Sequence, residues 1–167
     1  LDEMKAALDG IFASEPFGKL IDQGKIAVGG HSFGGFTALG LCGTIPERRD
    51  ARIKVVLLFS TGAGGYLFRE SELAAVKLPS MYLYGERERE QTRGSKTMLE
   101  LAEKLYANLA PPKYFLEVKG ASHLSFNNRF SYRLGARLLS GTPTHFDVIR
   151  RYATAFLETH VAGRTDP

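Results

Sequence analysis

One stretch constrains the fold of this chain more than any other: "AVGGHSFGGFTALG", residues 27–40. It sets two glycine pairs around a single serine, Ser32. The residues before it, "KIAVGG" (25–30), predict a short buried strand, and those after it, "FTALGLCG" (36–43), predict a buried helix. A chain that passes from strand to helix in so few residues must bring the two backbones close together, which favours glycine.

At this junction, Gly30-His31-Ser32-Phe33-Gly34 forms the pattern G-x-S-x-G. A serine on such a turn has a strained backbone that lifts its hydroxyl clear of the end of the sheet. The residues two before and two after it are expected to be tiny, because the strand and the helix would otherwise collide. The pattern predicts Ser32 as a nucleophile, with the backbone N–H of Phe33 as half of an oxyanion hole.

The rest of the chain alternates strands and helices. Apolar runs predict strands over 53–60, 78–85 and 113–120, and helical periodicity predicts helices over 92–109 and 144–161. Thr144 is the expected cap of the last helix, and "TGAGGYLF" (61–68) is expected to be a loop. This alternation predicts an α/β fold with a mostly parallel sheet and helices on both faces, and 167 residues fit one domain.

A nucleophilic serine needs a base, and four histidines are available. His123 lies in "GASHLSF" (120–126), directly after a strand, and active sites of parallel sheets gather at the carboxyl ends of strands. His31 is expected to point away from Ser32 into packing, because neighbouring extended residues face opposite ways. His145 and His160 belong to the last helix. His123 is therefore the predicted base.

The base needs an orienting acid, which should also follow a strand. The loop after 53–60 contains no carboxylate. The loop after 78–85 contains three, Glu86, Glu88 and Glu90, of which at least two must be ordinary charged surface residues. The residues alone leave the choice among these three open.

The matching segments "GHSFGG" (30–35), "LPSMYLYGERE" (78–88) and "GASHLSF" (120–126) resemble the α/β-hydrolase fold family. The chain is most similar to the esterase-type branch with dienelactone-hydrolase-like proteins, platelet-activating-factor acetylhydrolases and bacterial cutinases. In many members the acid is an Asp three residues after the glycine that ends its strand, and this chain has Glu88 there. The resemblance therefore implies the order Glu88, then Glu86, then Glu90. Dienelactone hydrolases proper carry a Cys nucleophile, so Ser32 argues against that narrow activity.

The resemblance also implies that part of the fold lies upstream. In this family the strand before the nucleophile is the fifth of eight, and only four strands are predicted here. As an edge, strand 25–30 would expose an apolar, unpaired ladder. We therefore expect residues 1–167 to be a single α/β-hydrolase domain without its N-terminal strands, and its own N-terminal segment to be a partner. The compartment is left open.

The expected function is a serine hydrolase that cleaves small-molecule or polymeric carboxylic esters through an acyl-enzyme. The alternatives are a peptidase, thioesterase or acyltransferase on the same residues, or a catalytically silent binding protein. No cofactor or metal is implied, because no ligand spacing is present. A net charge of +4 with interleaved signs does not favour nucleic acid, and no run approaches the ~20 apolar residues of a membrane span. Five aromatic residues near strand ends are expected either to line an apolar pocket or to pack in the core: Phe33, Tyr66, Phe68, Phe126 and Phe130.

Overall fold

The computed structural model describes residues 1–127 and 141–164. The six strands in these residues are β1 (Ile26–His31), β2 (Ile53–Phe59), β3 (Ser80–Gly85), β4 (Thr92–Arg93), β5 (Lys96–Thr97) and β6 (Lys113–Val118). Four of them form a parallel sheet with the order β1-β2-β3-β6. The seven α-helices in the described residues are α1 (Asp2–Ala13), α2 (Phe17–Leu20), α3 (Phe33–Leu39), α4 (Gly62–Leu67), α5 (Glu70–Leu73), α6 (Met98–Asn108) and α7 (Pro143–His160). The predicted α/β class, with a mostly parallel sheet, is confirmed.

The sheet has an apolar core on each face because alternate residues of a strand point to opposite sides. One cluster joins Leu58 and Tyr82 to α3 and α6. The other joins Leu57 and Leu83 to Phe156 of α7. Strand β2 is almost wholly buried, as its continuous apolar run predicts. Helices therefore lie on both faces, in agreement with the expectation.

Strand β1 differs from the buried strand that its sequence suggests. Along it, half-buried residues alternate with exposed ones, and Ala27 and Gly29 are exposed. The reason is its place at the edge of the sheet, where it pairs with β2 on one side only in the described residues. An apolar groove of about 160 Å³ lies beside it, lined by Met4 and Ile11 of α1 and by Val28. The surface next to this edge is thus less covered than that of the inner strands.

Residues 62–67, expected to be a loop, form α4. Glycine has low helix propensity, which favoured the loop, but here it allows helices to approach closely. A Cβ atom at Gly65 would collide with the backbone of Leu101 in α6, and one at Gly64 would press on Leu105. Close packing against α6 therefore outweighs the low helix propensity of the glycines in residues 62–67.

The starts of two helices also differ from the sequence prediction. Helix α6 begins at Met98 and not at 92, because 92–97 forms an antiparallel hairpin of β4 and β5 that turns at Gly94, whose φ is +64°. Helix α7 is capped by Thr142, whose hydroxyl accepts from the N–H of His145, and not by Thr144. Pro143 suits the first helical position because its missing N–H needs no partner there.

Candidate active site

Ser32 occupies the strained turn between β1 and α3. Its φ of 57° and ψ of −121° lie in a region that L-residues rarely adopt, and its N–H donates to the carbonyl of Phe59 at 2.9 Å. A Cβ atom at Gly30 would collide with the carbonyl of Gly34. The expected need for glycine is therefore right at this position, two residues before the serine.

The same expectation is wrong two residues after the serine. A Cβ atom at Gly34 would meet nothing within 4 Å. The crowded position is Gly35, where a Cβ atom would collide with the side chain of Thr61. Of the two glycines after Ser32, Gly35 is therefore the one that lets α3 pack closely against Thr61, just beyond the end of β2.

Glu88 and His123 meet at the carboxyl edge of the sheet. Glu88 Oε2 lies 3.0 Å from Nδ1 of His123, and the Glu88 side chain is fully buried while that of His123 is 34% exposed. The other carboxylate oxygen, Oε1, accepts from the N–H of Gly85 at 3.2 Å. A buried carboxylate requires such donors, and one that faces Nδ1 can orient an imidazole.

The other two candidate acids lie elsewhere. Glu86 is half-buried, and its carboxylate accepts from the N–H of Gly120 at 2.8 Å, which ties the loop after β3 to the loop after β6. Glu90 is exposed. Of the three glutamates, Glu88 is the one that the structure brings to His123.

Sequence reasoning missed Ser60, which lies in the same group. Its hydroxyl oxygen is 2.6 Å from Glu88 Oε2 and 2.5 Å from His123 Nδ1. The residue is buried, and its φ is +51°. The signal in the sequence is the position of Ser60 directly after β2, at the same sheet edge as Ser32, but the residue that orients a catalytic histidine is expected to be a carboxylate.

His31 supports His123 and is not merely packed inward as expected. The Nε2 atom of His31 lies 2.8 Å from the carbonyl oxygen of His123, and the two rings are 4.7 Å apart. Burial lowers the pKa of His31 from its usual 6.5 and outweighs the hydrogen bond to the His123 carbonyl, which raises it. A neutral His31 can donate from Nε2 and hold the His123 loop.

A cavity of about 250 Å³ brings these residues together. It is lined by Ser32, Ser60, Glu88, Gln91, Thr92, Arg93, Met98 and His123. Strand β4 contributes Thr92 and Arg93 to its wall, and the guanidinium of Arg93 lies 5.4 Å from the centre of the Tyr66 ring. The hairpin residues were not predicted as site residues, because 92–97 was expected to be helical.

The aromatic residues divide between core and surface. Phe68 is buried and stacks on Phe36 with ring centroids 4.6 Å apart, and Phe126 packs against the core beneath α7. Phe33 and Tyr66 are exposed. Phe130 lies outside the described residues. None of the four described aromatics lines the cavity, so core packing is the better account for Phe68 and Phe126.

Phe33 is the first residue of α3, so its N–H has no partner within the helix. It directly follows Ser32, as the oxyanion expectation requires. In the described ranges, no three His, Cys, Asp or Glu side chains are grouped to hold a metal ion. The same residues contain no helix long and apolar enough to cross a membrane.

Comparison with solved structures identifies the architecture. Dienelactone hydrolase from Anabaena variabilis superposes with a TM-score of 0.60 at 18% identity over 92% of this chain. A dienelactone hydrolase-like promiscuous phosphotriesterase from metagenomic libraries superposes with a TM-score of 0.63 at 19% identity over 93% of this chain. The chain has the α/β-hydrolase fold.

The likeness to these α/β-hydrolase fold proteins is one of structure. The chain spans 56% of the length of the first and 59% of the second. No protein-family model matches the sequence, and no curated protein matches it. The two structural matches confirm the resemblance to the α/β-hydrolase fold that the three sequence segments indicate.

Proposed function

We propose that this protein is a serine hydrolase of carboxylic esters, with Ser32 as nucleophile, His123 as base and Glu88 as orienting acid. One observation carries the proposal: the strained Ser32 faces the same cavity as His123, whose Nδ1 lies 3.0 Å from a fully buried carboxylate. Strained non-glycine residues cluster at functional sites, and a serine, an imidazole and a carboxylate in this order form the known nucleophilic arrangement.

The proposed reaction proceeds in two steps. Nε2 of His123 takes the proton of the Ser32 hydroxyl while Oγ attacks the ester carbonyl, and the imidazolium then returns the proton to the leaving alcohol. Water, activated by the same nitrogen, cleaves the acyl-enzyme and releases the acid. Glu88 stabilises the imidazolium in both steps. The N–H of Phe33 binds the developing oxyanion.

The upstream part of the fold belongs to this proposal. Strand β1 has its outer edge open in the described residues, and Ala27 and Gly29 are exposed beside it. An open apolar edge strand tends to pair with further chain. We propose that residues 1–167 form the C-terminal part of one domain, and that the segment before them pairs with β1 and supplies the second oxyanion donor.

Ester substrates are favoured by the name of one neighbour, a dienelactone hydrolase, since a lactone is a cyclic ester. The test is pre-steady-state hydrolysis of a p-nitrophenyl ester by the natural polypeptide. An acyl-enzyme predicts a burst of nitrophenol close to one equivalent per enzyme. Turnover without any dependence on Ser32 would contradict the mechanism.

A panel of substrates with matched leaving groups distinguishes an esterase from a peptidase or a thioesterase. A thioester, an anilide and a phosphotriester with comparable leaving groups should be compared with the ester by kcat/KM. The phosphotriester is included because the second neighbour is named a promiscuous phosphotriesterase. The proposal predicts the highest value for the ester; a higher value for the anilide or thioester would make the protein a peptidase or thioesterase instead.

A further inference from the structure

Ser60 is fixed at the carboxyl end of β2 by its backbone. Its N–H donates to the carbonyl of Leu83 in β3 at 2.8 Å, and only 1% of the residue is exposed. Its φ of +51° lies in the left-handed region, which is unfavourable for a serine. This backbone places the Cβ atom of Ser60 beside the group formed by Glu88 and His123, which the hydroxyl contacts.

The hydroxyl of Ser60 contacts both members of that group. Its oxygen is 2.6 Å from Glu88 Oε2 and 2.5 Å from His123 Nδ1, shorter than the 3.0 Å between Glu88 and His123 themselves. A hydroxyl has one proton and two lone pairs. An ionised carboxylate can only accept, so the single proton of Ser60 is donated to Glu88.

The position of that proton decides which nitrogen of His123 is protonated. With its proton on the Glu88 side, Ser60 Oγ presents a lone pair to Nδ1, and Glu88 Oε2 presents another. Two acceptors facing Nδ1 require an N–H there. Nε2 is then the unprotonated nitrogen, which is the form that a base for Ser32 needs.

We propose that Ser60 is a positioning residue that holds His123 in the Nδ1–H tautomer by bridging it to Glu88. This inference rests on the proposed function and adds a fourth side chain to it. The bridge shares the Nδ1 proton between a hydroxyl and a carboxylate. It also gives the buried Glu88 a donor besides the N–H of Gly85.

The test uses a pair of variants in the natural polypeptide. Ser60→Ala removes the hydroxyl and keeps a side chain at positive φ, whereas Ser60→Gly removes the hydroxyl and relieves the backbone. Both should lower kcat by about 10- to 100-fold, the range for one hydrogen bond to a charged group, with KM changed less than about threefold. Equal losses in the two variants assign the effect to the hydroxyl.

Ser80→Ala is the matched control. Ser80 is also a buried serine, but it is the first residue of β3 and therefore lies at the other edge of the sheet from Ser60. Its hydroxyl has no hydrogen-bond partner in the described residues. This variant should keep the wild-type kcat. A loss of activity in Ser80→Ala equal to that in Ser60→Ala would overturn the inference, since any buried serine would then matter.

A readout independent of turnover is the ¹⁵N and ¹H NMR spectrum of His123. The inference predicts a ring proton on Nδ1, and a changed Nδ1–H shift in Ser60→Gly but not in Ser80→Ala. A ring protonated on Nε2 in the wild type, or near-normal kcat in both Ser60 variants, would overturn the role of Ser60 and leave the proposed hydrolase intact. Absence of Ser32-dependent hydrolysis in the wild type would instead contradict the proposed function.

Discussion

The buried carboxylate of Glu88 lies 3.0 Å from Nδ1 of His123, although the two residues are 35 positions apart in the sequence. They meet because Glu88 follows β3 and His123 follows β6, and these strands are paired and parallel. The carboxyl ends of neighbouring parallel strands share one edge of the sheet. The contact depends on a side chain as long as glutamate reaching back to the N–H of Gly85 and across to the imidazole.

We predict that Glu88→Gln lowers kcat by about two to four orders of magnitude. The amide keeps the size of the side chain but loses the charge that stabilises the imidazolium. Steady-state kinetics with a p-nitrophenyl ester in the natural polypeptide measures the effect.

Glu86→Gln and Glu90→Gln serve as controls for this prediction. Glu90 is exposed, and a glutamine at 86 still offers an oxygen to the N–H of Gly120. Both should stay within about tenfold of the wild type, because the exposed charge of Glu90 contributes little and the Glu86 variant keeps its contact to Gly120. A large loss of kcat in Glu86→Gln together with a near-normal kcat in Glu88→Gln would mean that Glu86, and not Glu88, is the acid.

The turn around Ser32 gives a second prediction from two neighbouring glycines. Gly30→Ala should destabilise the protein by about 1–3 kcal/mol, because the new methyl group collides with the carbonyl of Gly34. Gly34→Ala should be neutral or stabilising by up to about 1 kcal/mol, because its Cβ meets open space in a helix. Urea denaturation compares them, and equal losses would contradict the geometry of the turn.

Much of this fold could be predicted from sequence because its strands are continuous apolar runs. Strand β2 and the stripe of α7 follow hydrophobic periodicity, and the serine turn has a local backbone signature. His123 was found because a topological rule places active residues after strands. These features depend on short-range patterns.

The remaining features depend on long-range contacts that no local pattern encodes. Residues 62–67 are helical because Gly64 and Gly65 fit against α6, and the hairpin before α6 closes the cavity through Thr92 and Arg93. Ser60 directly follows a strand, but its sequence position alone does not show that its hydroxyl lies between Glu88 and His123, which follow two other strands.

A pH prediction concerns His31, whose pKa is lowered, chiefly by burial. Below its usual value of 6.5, the unfolded chain binds a proton that the folded protein binds less readily, so stability falls as pH decreases. Replacement by Gln keeps a donor for the His123 carbonyl and removes this titration.

We therefore expect His31→Gln to lose less stability than the wild type between pH 7 and pH 5. The free energy of unfolding, measured by urea titration at several pH values, checks this. Parallel curves for the two proteins would show that His31 is not perturbed in the folded state.

The open edge of β1 leads to a prediction about the isolated chain. Residues 1–167 expressed alone should aggregate or show almost no esterase activity. The exposed ladder of β1 favours association with other chains, and a missing oxyanion donor costs about a hundred- to a thousandfold in rate. Light scattering and ester hydrolysis measure both effects.

Addition of the native upstream segment, in the same polypeptide or as a separate one, should restore solubility and turnover together. A monomeric and fully active 167-residue protein would contradict the proposal that an upstream strand pairs with β1.

The most direct test of the whole account is labelling of Ser32 by a fluorophosphonate in the natural polypeptide. The account predicts stoichiometric labelling, mapped to Ser32 by mass spectrometry of the peptide, with labelling and ester hydrolysis both abolished in Ser32→Ala. His123→Ala should lose nearly as much activity, because such residues act as a unit. Near-normal hydrolysis by Ser32→Ala, or labelling at another serine, would contradict it.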